Sequence, residues 1–193
     1  MILQADFYAR DTVVVARELL GKVLVHETAE GTTSGIIVET EAYMQDDPAC
    51  HAYRGKTPRN ETMFGEPGKA YVYLIYGIHH CFNAVTREKG RGEAVLVRAL
   101  CPLRGEELMH QRRKTICPSH RLASGPGNLC RVMGITRDQD GVPLQESPLY
   151  VISDNIAVSS DEIVERTRIG LSVAENRMLR FYLSNYQKYV SRR

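Results

Sequence analysis

The chain is predicted to fold as a single α+β domain over residues 1–193, with a mainly antiparallel sheet and flanking helices. Two observations carry this expectation. Neighbouring segments with period-two alternation are joined by short turns, the mark of hairpins, while helical periodicity is confined to a few separate segments. In addition, 193 residues suit one domain that buries about 70% of the surface of its unfolded chain, and no repeat or low-complexity linker divides it.

The elements follow in order. Residues 11–20 read as a helix: Asp11 or Thr12 caps it, Val13, Ala16 and Leu20 share a stripe, and Gly21 suits its end. Residues 22–28 (KVLVHET) alternate as a strand, 29–32 turn, and 33–43 return as a long strand. His26, in the first of these, reads as a partnered structural histidine. The returning strand ends in Val38-Glu39-Thr40-Glu41-Ala42-Tyr43, where period two places Glu39, Glu41 and Tyr43 on one side. Two carboxylates beside an aromatic ring suit a solvent-facing edge, the commoner outcome for such a pattern, or a polar cleft.

Residues 44–68 lack periodicity but hold Asp46-Asp47-Pro48, His51, Tyr53 and Thr57-Pro58-Arg59-Asn60. They are expected to form an ordered loop folded over the strand end. Residues 69–86 (KAYVYLIYGIHHCFNAVT) read as a hairpin with Tyr71 and Tyr73 on one face and Tyr76 near its tip. Packing accounts for the tyrosine pair, but poorly for an aromatic at an exposed tip flanked by His79 and His80. Residues 93–100 (EAVLVRAL) form an apolar strand interrupted by Arg98, which must find a carboxylate or phosphate, Glu41 being an obvious partner. Helices are expected over 104–114 and from Ser124-Gly125-Pro126-Gly127 to Met133, and strands over 149–152, 164–172 and 180–183. Ser159-Ser160-Asp161-Glu162 has the form of a capping box.

The net charge of +2 hides segregation. Residues 138–165 carry seven acids and no Lys or Arg, so the rest sets 25 bases against the remaining 16 acids, a balance of +9. Arginine outnumbers lysine 19 to 6 and grips phosphate in a planar, bidentate way, so a polyanionic partner is plausible. Between residues 163 and 193 there are seven bases, ending in Arg192 and Arg193, against two acids. The five cysteines form no Cys-x-x-Cys pair and read as reduced thiols. No metal-ligand spacing is present, and no apolar run approaches the ~20 residues of a membrane span. A cytoplasmic protein without metal or cofactor is expected.

A carboxylate near an arginine, several aromatics able to sandwich a flat ring, an aromatic on a hairpin tip and phosphate-seeking charge suit an enzyme that extrudes a base from duplex DNA. Val38-Glu39-Thr40-Glu41-Ala42-Tyr43, Thr57-Pro58-Arg59-Asn60, Tyr71-Val72-Tyr73-Leu74-Ile75-Tyr76-Gly77, Leu96-Val97-Arg98-Ala99-Leu100, Ser124-Gly125-Pro126 and Arg180-Phe181-Tyr182 together resemble the alkyladenine (3-methyladenine) DNA glycosylase family. The match runs in order from about residue 7 to residue 191.

The resemblance implies a curved, barrel-like sheet with a protruding DNA-inserting hairpin. It implies a monomeric, monofunctional glycosylase of the bacterial cytoplasm that acts on damaged purines in double-stranded DNA. Glu41 matches the general base and Arg98 the residue that helps it hold the attacking water. Tyr43, His51 and Tyr73 match the walls of the base pocket, Asn83 the residue that excludes the 2-amino group of guanine, and Tyr76 the intercalating side chain. Departures are His79, where the mammalian enzyme has tyrosine, and a loop one residue shorter between Tyr43 and His51. Both bear on lesion range and minor-groove contacts. Glu39 matches no catalyst and is assigned a structural role. No lysine falls in the matched site, so no lyase step is implied.

Two rival readings remain at this point. One is a sugar or nucleoside hydrolase using Glu39 and Glu41, about 6.6–7 Å apart along a strand and near the inverting range. The other is a damaged-DNA binder without catalysis.

Overall fold

One long strand organises the computed structural model, which describes residues 1–154 and 156–191. Arg192 and Arg193, counted above with the C-terminal bases, lie outside the described residues. In chain order, α1 (Ala5–Tyr8) and α2 (Thr12–Glu18) precede the hairpin of β1 (Val23–Thr28) and β2 (Gly31–Tyr43). The hairpin of β3 (Ala70–Ile75) and β4 (His79–Val85) follows, then β5 (Ala94–Arg104), α3 (Glu106–Arg113), α4 (Ser119–Leu122) and α5 (Pro126–Met133). Strands β6 (Leu149–Ile152), β7 (Ile163–Arg166) and β8 (Arg180–Leu183) complete the sheet. All pairings are antiparallel, in the order β3-β4-β5-β2-β1-β6, and β8 joins β2 while carrying β7. The sheet curls into a half barrel with helices packed against it, the expected α+β architecture.

Strand β2 changes partner partway along one edge. Its first half pairs with β1 up to Ile36, and its second half, Glu39 to Glu41, pairs with β8, while β5 runs along its other edge from Ser34 to Tyr43. Two register breaks lie at the change. Ile37 faces Leu100 and Glu39 faces Ala99, so Val38 is an extra residue in β2; Thr40 then faces Val97, so Arg98 is an extra residue in β5. Such bulges place two successive side chains on one face. Ile37, Ala42, Val95, Val97 and Leu100 accordingly pack into the main core with Phe82, Met109, Leu129 and Phe181. Val38 and Ala99 join a second cluster on the opposite face.

Local chemistry accounts for the other elements. The Asp11 side chain accepts from the backbone N–H groups of Val13 and Val14 and so caps α2. His26 is buried with Nδ1 2.8 Å from the Met133 carbonyl, the structural role expected of it. The expected capping box at Ser159 is present. The strand expected over 164–172 ends at Arg166 instead, because Arg168 turns inward to an ion pair with Asp47. Helix α1 gave no sequence signal, being one turn long. All five cysteines are free of disulfides, and no helix among the described residues is long and apolar enough to cross a membrane.

Candidate active site

A cavity of about 470 Å³ opens between the ends of β2, β3, β4 and β5, the loop after β2, the start of α5 and the segment after β7. Tyr43, His51, Tyr73, Tyr76, Asn83 and Arg98 all line it. Glu41 lies directly behind this lining, with no exposed surface.

Glu41 is held on all sides. Its Oε1 accepts the Ile169 backbone N–H at 2.9 Å, and its Oε2 accepts the Tyr43 hydroxyl at 2.9 Å and Arg98 Nη1 at 3.2 Å. Burial pushes the Glu41 carboxyl above the usual carboxylate range, against the opposing pull of Arg98, the Ile169 N–H and the Tyr43 hydroxyl. Three partners on two oxygens leave lone-pair capacity for one more donor. Period two correctly placed Glu39, Glu41 and Tyr43 on one side; the Arg98 bulge brings the guanidinium against both carboxylates.

Glu39 is equally buried and is held from the C-terminal end of the chain. Arg180 Nη1 donates to its Oε1 at 2.9 Å, as does the Ser191 hydroxyl at 2.9 Å, and the Ser191 backbone N–H donates to Oε2 at 2.8 Å. It faces the C-terminal segment instead of the cavity, consistent with the structural role assigned to it.

The aromatic walls are pinned from behind. The Arg168 guanidinium stacks 4.7 Å from the centre of the Tyr43 ring, donates to the Ala42 carbonyl at 3.1 Å and pairs with Asp47 at 2.6 Å, both charged side chains fully buried. His51 Nδ1 lies 3.0 Å from the Tyr71 hydroxyl, and its ring meets Tyr73 edge-on at 4.6 Å. Partial desolvation lowers its pKa, helped by Arg59 nearby. The loop bearing His51 is ordered, as expected, and Asn60 explains the Thr-Pro-Arg-Asn motif. Its amide donates to the His51 and Gly55 carbonyls at 2.8 and 3.0 Å while accepting the Thr57 N–H at 2.6 Å. Beneath the loop, Cys50, Ala52 and Met63 pack with Tyr71, Val85 and Ala94.

Asn83 faces Tyr71 across the hairpin and donates its amide to the Tyr71 carbonyl at 3.0 Å, which fixes its orientation in the cavity. Tyr76 stands at the tip, 82% exposed, with φ of 53° followed by Gly77 at 71°. Two successive positive φ values suit the tight primed turns of hairpins, and a left-handed tyrosine costs about 1–2 kcal/mol. Strain of this kind gathers where function holds a side chain in place. Beyond the residues read from sequence, the cavity recruits Tyr71, whose pairing with Tyr73 was visible in the alternation, and Ile169 to Leu171, for which no local signal exists.

A family model described as methylpurine-DNA glycosylase matches residues 6–187. Three relatives are provisionally named 3-methyladenine DNA glycosylases. The one from Methanoculleus marisnigri is 53% identical over 195 residues and that from Carboxydothermus hydrogenoformans 47% over 193, each match covering both chains in full. The one from Clostridium perfringens is 42% identical over 206 residues, again covering both chains in full.

Proposed function

The chain belongs to the methylpurine-DNA glycosylase family, and from that premise we propose that it is a monofunctional enzyme releasing alkylated or deaminated purines from duplex DNA through a water activated by Glu41. The observation that carries the proposal is a buried carboxylate, tied to Arg98 and Tyr43, behind a cavity walled by Tyr43, Tyr73 and His51 and rimmed by the exposed Tyr76.

In this reading Tyr76 enters the duplex and occupies the space of the extruded nucleotide. Stacking contributes roughly 1–3 kcal/mol per base, comparable to the few kcal/mol that flipping costs, so weakly paired damaged purines are favoured before chemistry begins. The lowered pKa of His51 favours its neutral form, which adds no positive charge beside bases such as 3-methyladenine or 7-methylguanine that are themselves cationic. The held amide of Asn83 restricts the space that the 2-amino group of guanine would need. Ionised Glu41 takes the proton of the attacking water as the N-glycosidic bond breaks, and its charge stabilises the oxocarbenium-like sugar. Water adds to the anomeric carbon, the base departs with the bonding electrons, and an intact abasic site remains. Cationic bases leave without protonation; hypoxanthine and ethenoadenine are the harder substrates. The protein acts as a cytoplasmic monomer without metal or cofactor.

The orientation of Glu39 argues against a two-carboxylate hydrolase, since it is bound to Arg180 and Ser191 and turned to the C-terminal segment, away from the cavity. The test is incubation with duplexes carrying methylated purines or hypoxanthine, followed by chromatography of released bases. Free base and alkali-labile abasic DNA are expected, with Glu41→Gln slower by about 10²–10⁴. Tight, salt-sensitive binding without base release would instead identify a damage-binding protein.

A further inference from the structure

A serine from the far end of the chain sits inside the charge network of the site. The Ser191 hydroxyl accepts from Arg98 Nε at 3.2 Å and donates to Glu39 Oε1 at 2.9 Å. Its backbone N–H holds the other oxygen of Glu39, and the preceding carbonyl, of Val190, accepts the Ser124 hydroxyl at 3.1 Å beside the rim of the cavity. Arg98 Nε is 3.5 Å from Glu39 Oε1, beyond good hydrogen-bond length, so the serine is the short link between them.

A guanidinium is a rigid planar fork, and tying one edge decides where the other points. In Arg98 the Nε edge is tied by Ser191, which is itself held by Glu39, and this directs Nη1 to Glu41 at 3.2 Å. Arg98 sits on a bulge, where the sheet ladder does not constrain it. We propose that Ser191, backed by Glu39 and through it by Arg180, is a positioning residue that fixes the orientation of Arg98 toward Glu41 and the attacking water. The proposal rests on the reading of Glu41 as the base. Removing the hydroxyl leaves the Ser191 backbone bond to Glu39 intact and creates no buried charge without a partner, so the effect falls on orientation and not on folding.

Besides Arg98 from β5, the groups facing Glu41 are Tyr43 and Glu39 on its own strand, Cys81 from β4 and Arg180 from β8. Of these, Arg98 is the cation in contact with the carboxylate, so loosening it favours the protonated form and moves the acid limb of the rate profile to higher pH.

The experiment compares wild type, Ser191→Ala, Ser191→Thr and Glu41→Gln on one hypoxanthine duplex. It measures single-turnover rates across pH, duplex affinity and melting temperature. Ser191→Ala is expected to lower the maximal rate about tenfold, with duplex affinity and melting near wild type and the acid limb moved upward, and Ser191→Thr to restore both rate and limb. A Ser191→Ala rate and acid limb equal to wild type overturn the inference, as does a rate loss matched by an equal loss of affinity or melting temperature. Should wild type release no base, or Glu41→Gln remain active, the proposed function fails and the inference with it. Wild type active, Glu41→Gln inactive and Ser191→Ala unchanged would remove the inference alone.

Discussion

Replacing Arg168 by methionine isolates the buried ion pair that supports the cavity from behind. Arg168 and Asp47 both have fully buried side chains and meet at 2.6 Å; the guanidinium also donates to the Ala42 carbonyl and stacks on Tyr43. Removing one partner of a buried pair costs about 3–5 kcal/mol, mostly because the remaining charge is left without compensation. Arg177, 3.8 Å from Asp47 and partly exposed, can supply part of that compensation, which places the expected loss near the lower end, about 3 kcal/mol. For a chain of this size each kcal/mol corresponds to about 2–4 °C, so the melting temperature should fall by about 6–12 °C. The assay is thermal denaturation by circular dichroism, with urea unfolding to obtain the free energy. The double variant Arg168→Met/Asp47→Leu removes both charges and should recover at least half of the loss. A single-variant loss below about 1 kcal/mol, or a double variant worse than the single one, would refute the argument. Because Ile169 adjoins Arg168 and carries the N–H bound to Glu41, the single variant should also excise more slowly at temperatures where it remains folded.

The remaining predictions concern chemistry and DNA. Burial raises the Glu41 pKa above its usual 4.5, and the base must be ionised to act, so the single-turnover rate should fall as pH drops through that raised value. A rate constant down to pH 4.5 would exclude Glu41 as the base. Tyr76→Ala removes an exposed ring and should leave melting unchanged while weakening lesion-duplex affinity and slowing excision; unaltered binding and rate would rule out the wedge role. Asn83→Ser frees the space held by the amide and should raise release of undamaged guanine, read by chromatography of bases from unmodified duplex, whereas no increase would remove Asn83 as a gatekeeper.

Local patterns were legible because they depend on neighbours in sequence. Alternation located both hairpins, put Tyr76 at a tip and set Glu41 beside Tyr43, and the odd Arg98 in an apolar strand announced a buried partner. Registers and long-range closures were not legible. Nothing in 38 or 98 marks a bulge, since an extra residue is defined only by the strand opposite. Arg168 was absorbed into a strand that the structure ends two residues earlier, because Asp47, which draws it inward, lies in a distant loop. Ser191 looked like one more polar residue in a basic tail. The resemblance to known glycosylases supplied roles for Glu41, Tyr43 and Arg98, but not the supports that hold them.

The change of partner along β2 also sets the order in which the site can be completed. Glu39 lies 141 residues before Arg180 and 152 before Ser191. During synthesis the two buried carboxylates therefore emerge long before β8 and the segment beyond it. Closing loops of this length costs chain entropy before any contact repays it, which makes such closures late. Until then Glu39 lacks all three of its hydrogen bonds, and the second half of β2 presents an unpaired edge. A chain arrested before residue 180 would hold Glu39, Glu41 and the β3–β4 hairpin, yet lack the strand that pairs with β2 over the two carboxylates. The charge network around Glu39 and Glu41 is thus complete only once the C-terminal residues have docked.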